Sequence, residues 1–67
     1  MKAKELRDLQ DHELRQQIKE LRREVQRLRF ANATGELENT AQLRLRRKDL
    51  ARALTVLRER ELAKRNG

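Results

Sequence analysis

The chain contains no cysteine, proline, tryptophan or tyrosine, two glycines and a single phenylalanine. Without cysteine there is no disulfide staple, no thiol nucleophile and no thiolate metal site. Without proline nothing forces a helix to break, so Gly35 is the one internal punctuation mark. No apolar run approaches the roughly 18 residues of a membrane span. Met1-Lys2-Ala3-Lys4-Glu5 also lacks the apolar stretch of a signal peptide, so the expectation is a cytoplasmic protein. Catalytic chemistry is equally sparse. His12 is the only histidine and falls in the first turn of a helix, where it reads as a solvated surface residue. There is no Ser-His-Asp set and no Gly-rich phosphate loop. Glu20 and Glu24 interleave with Arg23 and Arg27 at helical spacing, which is charge compensation rather than an acid pair. An enzyme, a cofactor, a metal site and a small-molecule substrate are therefore not expected.

What is present is charge and a heptad. Charged residues make up 43% of the chain, and 18 Lys and Arg over 11 Asp and Glu leave a net charge of +7. So large a surplus on so small a body points to a polyanionic partner, nucleic acid before anionic membrane. Leu14, Ile18, Leu21, Val25 and Leu28 alternate steps of four and three, and Leu43, Leu50 and Leu57 recur every seven. Folding the chain back at Thr34-Gly35 pairs 28 with 43, 21 with 50, 18 with 54 and 14 with 57, a register of nearly constant total, as antiparallel neighbours require. The fold class is therefore all-α, one domain over 1–67: a two-helix antiparallel hairpin with a short N-terminal turn. The hairpin core is Leu14, Ile18, Leu21, Val25, Leu28, Leu43, Leu50, Leu54 and Leu57.

The first long helix is expected over about 11–33, the turn over about 34–38 with Gly35 as its left-handed residue, the second helix over about 39–62, and a frayed basic tail over 63–67. Leu9-Gln10-Asp11-His12-Glu13-Leu14 is close to a capping box with a hydrophobic staple. Asn39 or Thr40 with Gln42 caps the second helix, and Leu6 and Leu9 are placed to cover the open end. So small a core is marginal, and a partner that completes its burial would make sense of its size.

Function then lies on the outer surfaces. Arg44, Lys48 and Arg52 step by four along one outward stripe with Arg47 at its edge, and Asp49 is the only acid between Glu38 and Glu59. An unbalanced block of that length suits phosphates. Phe30 points away from the seam among Arg23, Gln26 and Arg27, a stacking surface for an unpaired base or an anchor for a neighbouring protein. Leu45 and Val56 are likewise expected to face outward. The alternative class is a small basic helical adaptor, or a short coiled-coil dimer that does not bind RNA. The heptad lasts too briefly before Gly35 for a strong zipper, and no dense basic block precedes it. A basic helix lying on a membrane is disfavoured because the apolar face turns to its own second helix.

Met1-Lys2-Ala3-Lys4-Glu5-Leu6-Arg7, Leu28-Arg29-Phe30, Ala33-Thr34-Gly35-Glu36-Leu37-Glu38-Asn39, Leu43-Arg44, Asp49-Leu50-Ala51-Arg52 and Thr55-Val56-Leu57, in this order, resemble the large-subunit ribosomal protein of family twenty-nine. The resemblance implies a structural helical hairpin on large-subunit ribosomal RNA, at the exit of the nascent-chain tunnel and beside ribosomal protein twenty-three. Trigger factor and the signal recognition particle act nearby. It further implies Arg29, Arg44, Arg47, Lys48 and Arg52 as RNA contacts and Gly35 as the turn. The chain departs from the family pattern at Gln10, where Ser is commoner, at Glu36, where Gln is usual, and at Arg46 and Ala53, where apolar residues are usual. The last two would shift the seam toward Leu54.

Overall fold

The computed structural model describes residues 2–35 and 40–66. A five-residue helix, α1 (Ala3–Arg7), leads into α2 (Asp11–Ala33), and α3 (Ala41–Asn66) returns along it. The result is a rod of 48 × 17 × 17 Å. It is the all-α hairpin that the heptads imply. No helix among the described residues is long and apolar enough to cross a membrane.

Each element starts and stops for a local reason. The Gln10 backbone N–H donates to Glu13 Oε1 at 3.0 Å, so the residue three past the cap closes the start of α2 although Gln10 is itself a weak cap. Leu9 packs against the cluster that holds Leu14, which completes the staple. At the other end Thr34 N–H donates to Phe30 O, and Gly35 adopts φ +79°. Only glycine takes that left-handed value without a Cβ penalty. The rest of the expected turn, with Glu36 and the Asn39 cap, lies outside the described residues. Thr40 O accepts the Arg44 N–H at 3.0 Å as α3 begins. The helix then runs through Asn66 instead of fraying after Leu62. In that last stretch the Lys64 ammonium reaches Asp11 at 3.1 Å, between the end of α3 and the start of α2.

The α2 half of the seam follows its heptad, with Leu14, Ile18, Leu21, Val25 and Leu28 all buried. That stripe is consumed inside the molecule, which removes it from any zipper. The α3 half differs. Leu43, Leu50, Leu54 and Leu57 are half-buried, whereas Ala53 and Val56 are closed off. The centre of the α3 seam steps through Arg46, Asp49, Ala53, Val56 and Arg60, and the leucine heptad forms its flank. Ala53, with no exposure, lets the helices approach closely, so the seam does not shift to Leu54.

Val56, expected to face outward, is 2% exposed. α1 is the cause. Rather than merely closing the end of the hairpin, it lies along α3, and Leu6, Val56 and Ala53 join Leu14, Ile18 and Leu21 in one cluster.

Arg60 fastens this arrangement. Its Nη2 donates to the carbonyls of Leu6, Arg7 and Leu9, and its Nη1 to Asp11 Oδ1 at 2.8 Å. Carbonyls at a helix C-terminus have no partner within the helix, and one guanidinium with its planar fork of donors serves several. Near the start of α3 Arg46 plays a similar part, donating from Nε to Glu24 at 3.0 Å and from Nη1 to Asp49 at 3.2 Å. Asp49 sits in the seam at 7% exposure, and this pairing makes its burial tolerable.

Hydrogen bonds from Arg60 and then from Lys64, with the charge of Lys64, hold the Asp11 carboxyl below the usual carboxylate range. A lowered folded-state value gives stability that is present above the unfolded value of about 3.9 and is lost as pH falls through the folded one. Thermal melts of Asp11→Asn should therefore lose part of the acid-side slope that the unchanged chain shows below about pH 4. At Gly35 no atom lies within 4 Å of where a Cβ would stand, so only backbone strain opposes substitution. Gly35→Val should cost about 1–2 kcal/mol in denaturant unfolding and Gly35→Asn distinctly less.

Candidate nucleic-acid interface

The residues expected to meet RNA are all on the surface: Arg23, Arg27, Arg29 and Phe30 on α2, and Arg44, Arg47, Lys48 and Arg52 on α3. They do not form one face. At about 100° per residue, Arg23, Arg27 and Phe30 stand opposite Leu21, Val25 and Leu28, on the side of α2 turned away from α3. Arg44 and Lys48 stand opposite Arg46 and Ala53, on the side of α3 turned away from α2. The hairpin is therefore basic on two surfaces that look in opposite directions. Arg44, Lys48 and Arg52 do share one stripe. Beside it is a shallow hollow of about 450 Å³, floored by Leu45 and edged by Lys48 and Arg52.

Ion pairs tie the arms together at the open end and around Arg46. At the open end Arg7 meets Glu59 at 3.3 Å, Asp11 takes both Arg60 and Lys64, and Arg15 stands 4.0 Å from Glu61. Near the start of α3 Glu24 and Asp49 engage Arg46. Arg23, Arg27, Arg29, Arg44, Arg47 and Lys48 have no carboxylate among the described residues within ion-pair distance. Flexible cations with no internal partner keep their charge for a ligand, and phosphate suits both the Arg fork and the Lys point charge.

Phe30 is 68% exposed and Leu45 61%. An aromatic ring among guanidinium groups, on a face the hairpin leaves open, suits an unpaired base. Arg46 belongs to the seam and not to this surface. The sequence pattern does not single out Arg15, Lys19 and Arg22, which line a groove beside Ile18. Their signal is there nonetheless, as steps of four and three along one flank of α2. Among the described residues no group of three or more His, Cys, Asp or Glu could hold a metal ion.

Comparison with known proteins gives a family match over most of the chain: the model for "Ribosomal L29 protein" matches residues 4–60. Among curated relatives, the large ribosomal subunit protein uL29 of Geobacillus stearothermophilus is 59% identical over 63 residues, covering 94% of this chain and 96% of its own length. The protein of the same name from Sulfurihydrogenibium sp. (strain YO3AOP1) is 52% identical over 67 residues with both chains wholly covered. That of Persephonella marina is 49% identical, covering 100% of this chain and 98% of its own.

The three outward apolar candidates now separate into two kinds. Phe30→Ala and Leu45→Ser should leave helix content and melting within about 0.5 kcal/mol, because exposed side chains contribute little to folding. Val56→Ser should destabilise by about 2 kcal/mol or more, since it opens a cavity under α1 and buries a hydroxyl there. Circular dichroism melts of the three variants check this.

Proposed function

The chain belongs to the Ribosomal L29 protein family, a structural constituent of the large ribosomal subunit and not an enzyme, and from that premise we propose that it grips large-subunit ribosomal RNA with the unpaired cations of its outward surfaces. The observation that carries this reading is a set of exposed cations on the outward surfaces that the fold leaves without an acidic partner. Arg23, Arg27, Arg29, Arg44, Arg47 and Lys48 have no carboxylate among the described residues within ion-pair distance. Phosphate contacts supply most of the affinity and fix position rather than read sequence. Phe30 adds a stacking contact, with Arg23 and Arg27 holding the backbone beside it. Because the two basic surfaces face opposite ways, the RNA meets the hairpin from both sides and the rod fills the gap between RNA elements.

In this reading the hairpin sits beside the exit of the nascent-chain tunnel, next to ribosomal protein twenty-three. It helps to shape the region where trigger factor and the signal recognition particle dock. Its contribution is architectural.

Replacement of Arg44, Arg47 and Lys48 together by Gln should weaken RNA binding and flatten its dependence on salt, by roughly 0.7 to 0.9 in log–log slope for each phosphate that is no longer neutralised. Lys4, Arg58 and Arg65 changed to Gln remove the same formal charge at the other end and should leave the slope unchanged. Equal effects of the two triple variants would mean that net charge alone, and not this face, binds RNA.

A further inference from the structure

We propose that the open groove between α2 and α3 is a docking site for an acidic amphipathic helix of a protein partner, an interface that shares only Arg23 with the RNA-facing cations. The groove encloses about 370 Å³, with Ile18, Leu54 and Leu57 as its floor and Arg15, Lys19, Arg22 and Arg23 along its wall. It lies on the flank of the hairpin that α1 leaves uncovered. At about 100° per residue, Val56 and Glu59, which line the α1 side, stand on one flank of α3, and Leu54 and Leu57 on the other.

The groove is an apolar surface that the hairpin does not finish. The centre of the α3 seam is built from Arg46, Asp49, Ala53 and Val56, while Leu50, Leu54 and Leu57 stand beside it half-exposed. The apolar row continues past Leu57 into a second hollow edged by Leu62, itself 45% exposed. Leucine at heptad spacing in a half-covered row suits a third helix laid alongside, whose apolar stripe would cover it.

Charge selects the occupant. No carboxylate lines the groove, and the cations on its wall follow one another by four and three residues, the spacing of a helix edge. Arg15 approaches an acid only at 4.0 Å. Asp and Glu flanking a leucine stripe would meet that wall while the stripe meets the floor. RNA would satisfy the cations but has little apolar surface for the leucines. A second copy of the chain would bring like charge against like, since each carries +7. The groove is also too open to enclose a small molecule.

The test uses the full chain, labelled with nitrogen-15, titrated with a synthetic helix of about three heptads carrying Leu in its seam and Glu on both flanks. Amide shifts should concentrate at Ile18, Arg22, Leu54 and Leu57. Arg22→Glu, an exposed change that the fold tolerates, should weaken binding about ten-fold or more. Leu54→Gln should weaken it to a similar degree with helix content intact by circular dichroism. The same peptide with Lys for Glu should not bind. Peptide binding should persist in the Arg44, Arg47, Lys48 triple variant, so that failure of this site and failure of the RNA reading are told apart. Absence of shifts in the groove, equal binding of the Glu and Lys peptides, or displacement of the peptide by an RNA hairpin would each overturn the proposal.

Discussion

Arg60 joins three pieces of backbone, the end of α1, the start of α2 and α3, at one guanidinium. α1 is five residues long, well below the length at which a helix is stable by itself in water. Its carbonyl end, and the Leu9 carbonyl that follows, turn toward a guanidinium projecting from α3. The same side chain pairs with Asp11 in the first turn of α2, where a carboxylate also suits the positive end of the helix dipole. Burial of Leu6 and Val56, the direction in which α2 sets out, and the extension of α3 to Asn66 all depend on that junction. Leucine in its place could fill the space but could not satisfy carbonyls and a carboxylate together.

The hairpin was legible wherever the buried group is itself apolar. The α2 stripe, Gly35 and the Glu13 capping contact are local features, written in residue types at fixed spacing, and they hold in the structure. The α3 seam was legible only in part: Leu50, Leu54 and Leu57 pack against the core, but its centre was hidden for a physical reason. Its central line is occupied by Arg46, Asp49, Ala53 and Arg60, three of them charged. A hydrophobic pattern detects burial only when hydrophobic atoms are buried, whereas an arginine can lay its stem in a seam and reach a carboxylate at the rim. The leucine heptad therefore marks a flank and mimics a centre. Val56 misled for a second reason: the element that covers it, α1, is too short to carry a period of its own.

At the candidate interface the sequence exposes the surplus of cations but not their availability. Whether an arginine is bare depends on acids that are distant along the chain, as Arg7 with Glu59 or Arg46 with Glu24 shows. Which cations stay bare is thus a property of the fold. The single acid within the α3 basic block, Asp49, is drawn into the seam by Arg46, and its withdrawal leaves the outward stripe uniformly positive.

The span of chain between the partners of the Arg60 junction has an entropic consequence. Leu9 and Arg60 are 51 residues apart, whereas the arms of the hairpin next to Gly35 are neighbours in sequence. Loop-closure entropy rises with the length enclosed, so closing the Arg60 junction costs more chain entropy than pairing the arms beside Gly35, and the strap that carries Leu6 is held against a larger entropic penalty than any other contact in the rod.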